Sequence, residues 1–209
     1  MTNRLAVATA ILLCIRAPLG AHRLDEYLQA TLISVEKSSI QAQIRLVPGI
    51  AVLPLVLAGI DRDRNGVISE AEQQAYAHRV LQDLSLSMSG DRLTPRLVAM
   101  KFPVVEDMKQ GLGEIQLNIK ADVPVRGRNR KLIFENRHQS RIGVYLVNCL
   151  VPHDPEIKIT GQNRNYTQSY YELDYVQAGA HSDPLSIAGW SGIALLLCAR
   201  LACLSRQRG

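Results

Sequence analysis

Ile115-Gln116-Leu117-Asn118-Ile119-Lys120-Ala121-Asp122-Val123 alternates apolar and polar side chains without a break. Successive side chains of a strand point to opposite faces, so this stretch predicts one buried face and one wet face, as in an antiparallel sheet. Similar runs lie on both sides of it. Upstream, residues 27–35 and 40–47 read as two strands joined by Glu36-Lys37-Ser38-Ser39, and residues 96–102 as another. Leu84, Leu86 and Met88 alternate with serines before a turn at Gly90-Asp91. Downstream, residues 131–136, 144–151, 156–160 and 166–176 complete the set, while residues 103–111 form a short helix or a loop. Many short strands bounded by turn residues predict a mainly β fold, an antiparallel β-sandwich-like domain.

One excursion breaks the pattern between the second and third strands. Pro48-Gly49 ends the alternation, and Leu53, Val56, Leu57 and Ile60 recur at helical spacing, with Pro54 near the start where its missing N–H costs little. Tyr76, Ala77, Val80, Leu81 and Leu84 repeat the spacing further on. Between them lies Asp61-Arg62-Asp63-Arg64-Asn65-Gly66-Val67-Ile68-Ser69-Glu70-Ala71-Glu72. Calcium takes six to eight oxygen ligands, and this loop offers them at positions one, three, five, seven, nine and twelve. Asp61, Asp63 and Asn65 supply side-chain oxygens, and Val67 its backbone carbonyl. Ser69 acts directly or through a water, and Glu72 with both carboxylate oxygens. Gly66 stands where the chain turns sharply, and Ile68 is the apolar residue that ties such a loop to its neighbour. The helix-loop-helix at about residues 50–84 resembles the EF-hand family at every diagnostic position, which implies a calcium site. A competing reading is an exposed Asp/Asn/Gly turn whose acids favour a helix N-terminus. Three acidic ligands with Arg62 and Arg64 alongside suggest an affinity on the order of 10⁻⁴ to 10⁻³ M. EF-hands usually pair, and a second such loop is not evident, which suits a site that pins local structure better than a cooperative sensor.

At 209 residues the chain fits one ordinary domain with small extras; 47% hydrophobic residues suffice for a core. The ends carry a different signal. Arg4, an apolar run over residues 5–15 and Leu19-Gly20-Ala21 predict a signal peptide over residues 1–21, with a buried N-terminal helix as the alternative. Cleavage after Ala21 places an amine beside the imidazole of His22, a pair able to chelate copper or nickel, with a plain surface histidine as the favoured alternative. Residues 185–204 are apolar except for Arg200, with Trp190 near one end and Arg206 and Arg208 beyond. That pattern predicts a C-terminal transmembrane helix with a cytoplasmic tail over residues 205–209; an amphipathic helix packed on the domain competes with it. The favoured topology is a single-pass cell-membrane protein whose domain, residues 22–184, is extracytoplasmic, and periplasmic in a Gram-negative cell. Residues 177–184 connect domain to anchor. A net charge of +5 invites a nucleic-acid partner, which export argues against.

Cys14 lies in the signal and Cys198 and Cys203 in the anchor, so Cys149 is alone in the domain. Its apolar run marks it as a buried small hydrophobe. Cys149, His153 and Asp154 draw as a catalytic set, yet prolines flank the pair and no oxyanion hole is identifiable. No residue is assigned as catalytic. Arg126, Arg128, Arg130, Lys131, Arg137 and Arg141 read as a solvated hairpin face, with lipid headgroups or an anionic polymer as alternatives. Asn165-Tyr166-Thr167 matches the glycosylation acceptor pattern within an expected strand. Tyr170, Tyr171 and Tyr175 read as sheet packing. His138, His153 and His181 show no metal spacing.

His22-Arg23-Leu24-Asp25-Glu26-Tyr27-Leu28-Gln29-Ala30, the acidic loop, and Val144-Tyr145-Leu146-Val147-Asn148 together are similar to the exported N-terminal domains of bacterial membrane proteins related to HupE/UreJ-type metal permeases. The resemblance spans much of residues 22–176. It implies a membrane-protein partner and a nickel or cobalt connection, although those permeases continue into a polytopic bundle outside these 209 residues. Two readings follow: calcium binding with a structural or interaction role, or an accessory or sensor subunit of a transition-metal permease.

Overall fold

The computed structural model describes residues 25–124 and 127–178. The expected signal peptide, His22, Arg126, His181, most of the connector and the apolar segment 185–204 lie outside the described residues.

Alternation becomes two sheets. The first contains β1 (Tyr27–Val35), β2 (Ser39–Pro48), β5 (Arg96–Lys101), β6 (Ile115–Asp122) and β8 (Gly143–Cys149), in the order β5-β6-β2-β1-β8. The second contains β3 (Leu84–Met88), β4 (Asp91–Arg92), β7 (Asn129–Asn136), β9 (Ile157–Arg164) and β10 (Tyr170–Gln177), in the order β4-β3-β7-β10-β9. Three helices are inserted: α1 (Leu53–Ile60) and α2 (Glu70–Gln82) between β2 and β3, and α3 (Val105–Lys109) between β5 and β6. Ile115, Leu117, Ile119 and Ala121 are buried as the alternation requires. Ile44 and Leu46 from β2 join Phe134 of β7 and Leu173 of β10 in one core. The fold is a mainly β, sandwich-like domain.

Three expectations need correction. The pairing is not wholly antiparallel, because β8 lies parallel to β1, Tyr27 opposite Gly143 and Ile33 opposite Cys149. A parallel pair needs a long crossover, and β2 to β7, including β3, β4 and β7 of the second sheet, lie between the two strands in sequence. The last expected strand begins at Tyr170 rather than residue 166: residues 165–169 form the turn between β9 and β10, closed where Gln168 N donates to Asn165 O at 3.0 Å. Asn165-Tyr166-Thr167 is therefore exposed. The basic run is not uniformly solvated either. Arg130 is buried, its Nη1 donating to Lys37 O at 3.3 Å, and among the described residues its Nη2 has no partner.

The two lateral sides of the sandwich differ. On one, Arg164 at the end of β9 crosses to β8 and donates from Nε to Val147 O at 2.9 Å and from Nη2 to Asn148 Oδ1 at 3.0 Å. On the other, β4 and β5 are edge strands of opposite sheets, joined through Leu93-Thr94-Pro95. Helix α2 packs against β3 and β5 on that side. Its buried residues are Tyr76, Ala77 and Val80, and the Tyr76 ring meets Phe102 edge to face at 6.1 Å. The same i, i+1, i+4 spacing that predicts an amphipathic helix thus seats it on the core.

Candidate metal centre

Helix α1 starts with Pro54 in its first turn and buries Leu53, Val56 and Ile60, leaving Asp61 as its C-cap residue. Helix α2 starts after Ser69, whose Oγ accepts from Glu72 N at 3.4 Å while Glu72 Oε2 accepts from Ser69 N at 3.0 Å. This reciprocal capping box satisfies two donors that a helix N-terminus otherwise leaves unpaired. The Arg79 guanidinium donates to Gly59 O, tying α2 back to α1.

Between the helices the loop folds around its own acids. Asp61 is only 8% exposed. Its Oδ1 accepts from Asn65 N at 3.1 Å and its Oδ2 from Gly66 N at 2.9 Å. Asp63 Oδ1 accepts from Asn65 N at 3.1 Å, and Asn65 Oδ1 accepts from Val67 N at 2.7 Å. These turns require left-handed backbone at two positions, Gly66 at φ 80° and Arg64 at φ 60°. Glycine takes that conformation freely; for arginine it costs roughly 1 kcal/mol. Nothing lies within 4 Å of a Cβ built on Gly66, so conformation rather than crowding requires glycine there. Ile68 is half-buried and packs on the core, while Val67 is exposed.

Of the six residues expected at the site, Asp61, Asp63 and Glu72 converge, each offering a carboxylate oxygen within 4.8 Å of the others. Asn65, Val67 and Ser69 lie on the same loop, within the hydrogen bonds just described. Arg62 N also donates to Glu72 Oε1 at 2.7 Å, and Ser69 Oγ to Glu72 Oε2 at 2.7 Å. The Ser69 hydroxyl, then the backbone N–H groups of Ser69 and Arg62, hold the Glu72 carboxyl below the usual glutamate range. Among the described residues no lysine, arginine or histidine nitrogen pairs with Asp61, Asp63 or Glu72. Each Asp61 oxygen accepts a single N–H and keeps a lone pair. Clustered carboxylates without a cationic side chain, with acceptor capacity to spare, are a donor set that fits a hard cation.

A second polar cluster lies behind α2, and its role was invisible in residue spacing. His138 is buried. Its Nδ1 is 2.7 Å from Asp83 Oδ2, and a carboxylate only accepts, so Nδ1 carries the proton. Nε2 then accepts from the Tyr76 hydroxyl at 3.0 Å, and Tyr76 in turn accepts from Tyr27 at 2.7 Å. Gln29 donates to His138 O at 2.7 Å and accepts from Asn136 Nδ2 at 3.0 Å; Asn136 accepts from His138 N at 2.9 Å. Burial lowers the imidazole below its ordinary value, opposed by Asp83, and burial pushes the Tyr76 phenol up to about 12. The cluster fastens the C-terminal end of α2 to β1 and to the end of β7. The partners are 55 and 62 residues from His138, so no local motif signals them.

Cys149 is half-buried, donates to Leu150 O at 3.2 Å, and burial pushes its thiol up to about 11. Asp154 pairs with Lys37 at 3.3 Å, and among the described residues no hydrogen bond links Cys149 to His153 or Asp154. That arrangement is not a nucleophile with its base. Comparison with protein-family models, curated proteins and solved structures finds no match for this chain.

Proposed function

We propose that residues 61–72 bind one calcium ion and that the ion fastens the α1–α2 pair to a β domain held outside the cytoplasm on a C-terminal membrane anchor. Asp61, Asp63 and Glu72 supply charge, with Asn65, the Val67 carbonyl and Ser69 completing an EF-hand-like shell. The observation that carries this reading is the approach of three carboxylates to within 4.8 Å with no cationic side chain between them. Bound calcium neutralises that charge and stabilises the folded state by mass action. The capping box and the Asx-type turns also form a helix entry without an ion, so the decisive measurement is binding itself. Isothermal titration of the full-length protein with calcium gives one site, lost in Asp61→Asn. Absence of heat at millimolar calcium rejects the proposal.

Position in the fold gives the domain a direction. The first helix of the pair follows the end of β2, and Tyr76 of the second reaches Tyr27 at the start of β1, so the pair that holds the loop sits at that end of the sandwich. Described chain leaves at the other end, where Ala178 N donates to Glu156 O and Lys37 pairs with Asp154. The nine residues of β1 separate the two ends by about 30 Å. If residues 185–204 cross the membrane, the calcium loop faces away from the bilayer, towards an extracytoplasmic partner. A protease cleaving near residue 64 in intact spheroplasts, but not in intact cells, agrees with that placement; cleavage only after the inner membrane is opened refutes it.

The transition-metal reading has less support. The group of candidate ligands among the described residues is all carboxylate, and His138 is committed to Asp83 and Tyr76.

A further inference from the structure

The side of the sandwich that Arg164 leaves unstitched carries a trough of about 790 Å³ between the C-terminal half of α2 and the β4–β5 crossover. Its floor is apolar, with Leu81 from the helix and Leu93 and Leu97 from the crossover and β5. Two cations stand on its rim, Arg92 and Arg96, both exposed; the His78 ring lies opposite on α2.

Neither arginine has a carboxylate within 4.0 Å among the described residues, so both charges are free to meet an acidic ligand. Arg96 also lies directly across from Lys120 of β6, so two positive side chains share one cross-strand position. Like charges placed that way destabilise a sheet, which leaves Arg96 poorly satisfied within the domain. No acidic residue lines the trough. An open trough with leucines on its floor and unpaired cations on its rim suits an extended protein segment better than an enclosed small molecule.

We propose that this trough docks a segment of a partner protein in which acidic side chains alternate with leucine-like ones. Acidic groups meet Arg92 and Arg96, and the apolar ones cover Leu81, Leu93 and Leu97. Electrostatic complementarity of this kind chiefly raises the association rate and fixes register, so binding weakens with salt. The proposal shares no residue with the acidic loop and stands whether or not the loop binds calcium.

The test is fluorescence anisotropy of a labelled peptide repeating Glu-Leu-Ser, titrated with the purified full-length chain in chelator and again in calcium. Saturable binding is expected in both, weakening several-fold between roughly 50 and 200 mM salt. A Lys-Leu-Ser repeat does not bind, and a Glu-Ala-Ser repeat binds at least several-fold more weakly. The double change Arg92→Glu and Arg96→Glu lowers affinity about tenfold or more. Both residues are exposed, and an unchanged thermal melt confirms that the variant folds. A photo-crosslinker on the peptide then maps to residues 78–97. No saturable binding, equal binding by the double variant, or crosslinks elsewhere overturns the proposal. So does displacement of the peptide by dodecanoate at lower concentration, which assigns the trough to a lipid, or self-association abolished by the same substitutions, which assigns it to a second copy.

Discussion

Glu72→Gln separates the ion from the helix it caps. In the structure this carboxylate accepts from Ser69 N and Arg62 N and belongs to the three-acid cluster. Glutamine keeps one acceptor oxygen, and a capping box tolerates it, so the start of α2 survives. What disappears is a negative charge and the chance to chelate through two oxygens. With a dissociation constant on the order of 10⁻⁴ to 10⁻³ M, roughly 10 mM calcium stabilises the native state by about 1.4–2.7 kcal/mol. For a described domain of about 150 residues this raises the melting temperature by about 3–10 °C. Differential scanning calorimetry of the full-length protein, in chelator and in calcium at matched ionic strength, reads the shift. The variant loses most of it, to less than about 1 °C. In chelator it melts somewhat below the wild type, because glutamine keeps one acceptor oxygen and the N–H groups of Ser69 and Arg62 lose a charged partner. Ser69→Ala behaves differently: losing the N-cap costs about 1 kcal/mol already in chelator, and losing the ninth-position oxygen narrows the calcium shift as well. An equal calcium shift in wild type and Glu72→Gln, or no shift in the wild type, refutes the assignment of the loop.

Three further outcomes test the rest of the molecule. Tyr76→Phe removes the hydroxyl between Tyr27 and His138, leaving two buried groups without partners; chemical denaturation registers a loss of about 1–3 kcal/mol, and Tyr27→Phe, which strands neither, costs less. The His138 imidazole is held below its ordinary value by burial, against Asp83, with Arg79 contributing in the same sense as burial. The unfolded chain therefore takes up a proton first: this contribution to stability is complete above about pH 6.5 and is lost as pH falls from there through the lower folded value. Urea midpoints at several pH values, with the His138 ring followed by NMR, check both the direction and the residue; a His138 titration above pH 6.5 contradicts the burial argument. Arg64→Asn eases a left-handed residue and removes a positive charge beside the acids, so calcium titration gives a tighter site and denaturation a more stable loop.

Legibility in the sequence followed the range of the interaction. Ile115 to Asp122 was readable because a strand with one buried face writes its period into neighbouring residues, and the acidic loop because its donors are consecutive. Tyr170 and Tyr171 extended the apparent last strand backwards through Tyr166, since tyrosine favours strands; the Asn165 side chain instead accepts from Tyr170 N and closes a turn. Other features had no local trace. The parallel partner of β1 is set by a crossover through the second sheet, and Arg130 looks like its solvated neighbours until the β1–β2 turn brings the Lys37 carbonyl to accept from it.

The His138 cluster, which no local spacing signals, bears directly on what a bound ion does to the helix pair. The loop fixes the N-terminal end of α2, while Tyr76 and Asp83 fix the other end to both sheets. An ion at Asp61 and Glu72 therefore acts on a helix already tethered, which favours local stiffening over a large swing of α2. It follows that calcium slows amide exchange most at residues 61–75 and little beyond Tyr76 in the wild type. In Tyr76→Phe, with the distal tether weakened, the slowing spreads along the whole helix; protection that spreads equally in both proteins shows that the tether does not confine the response.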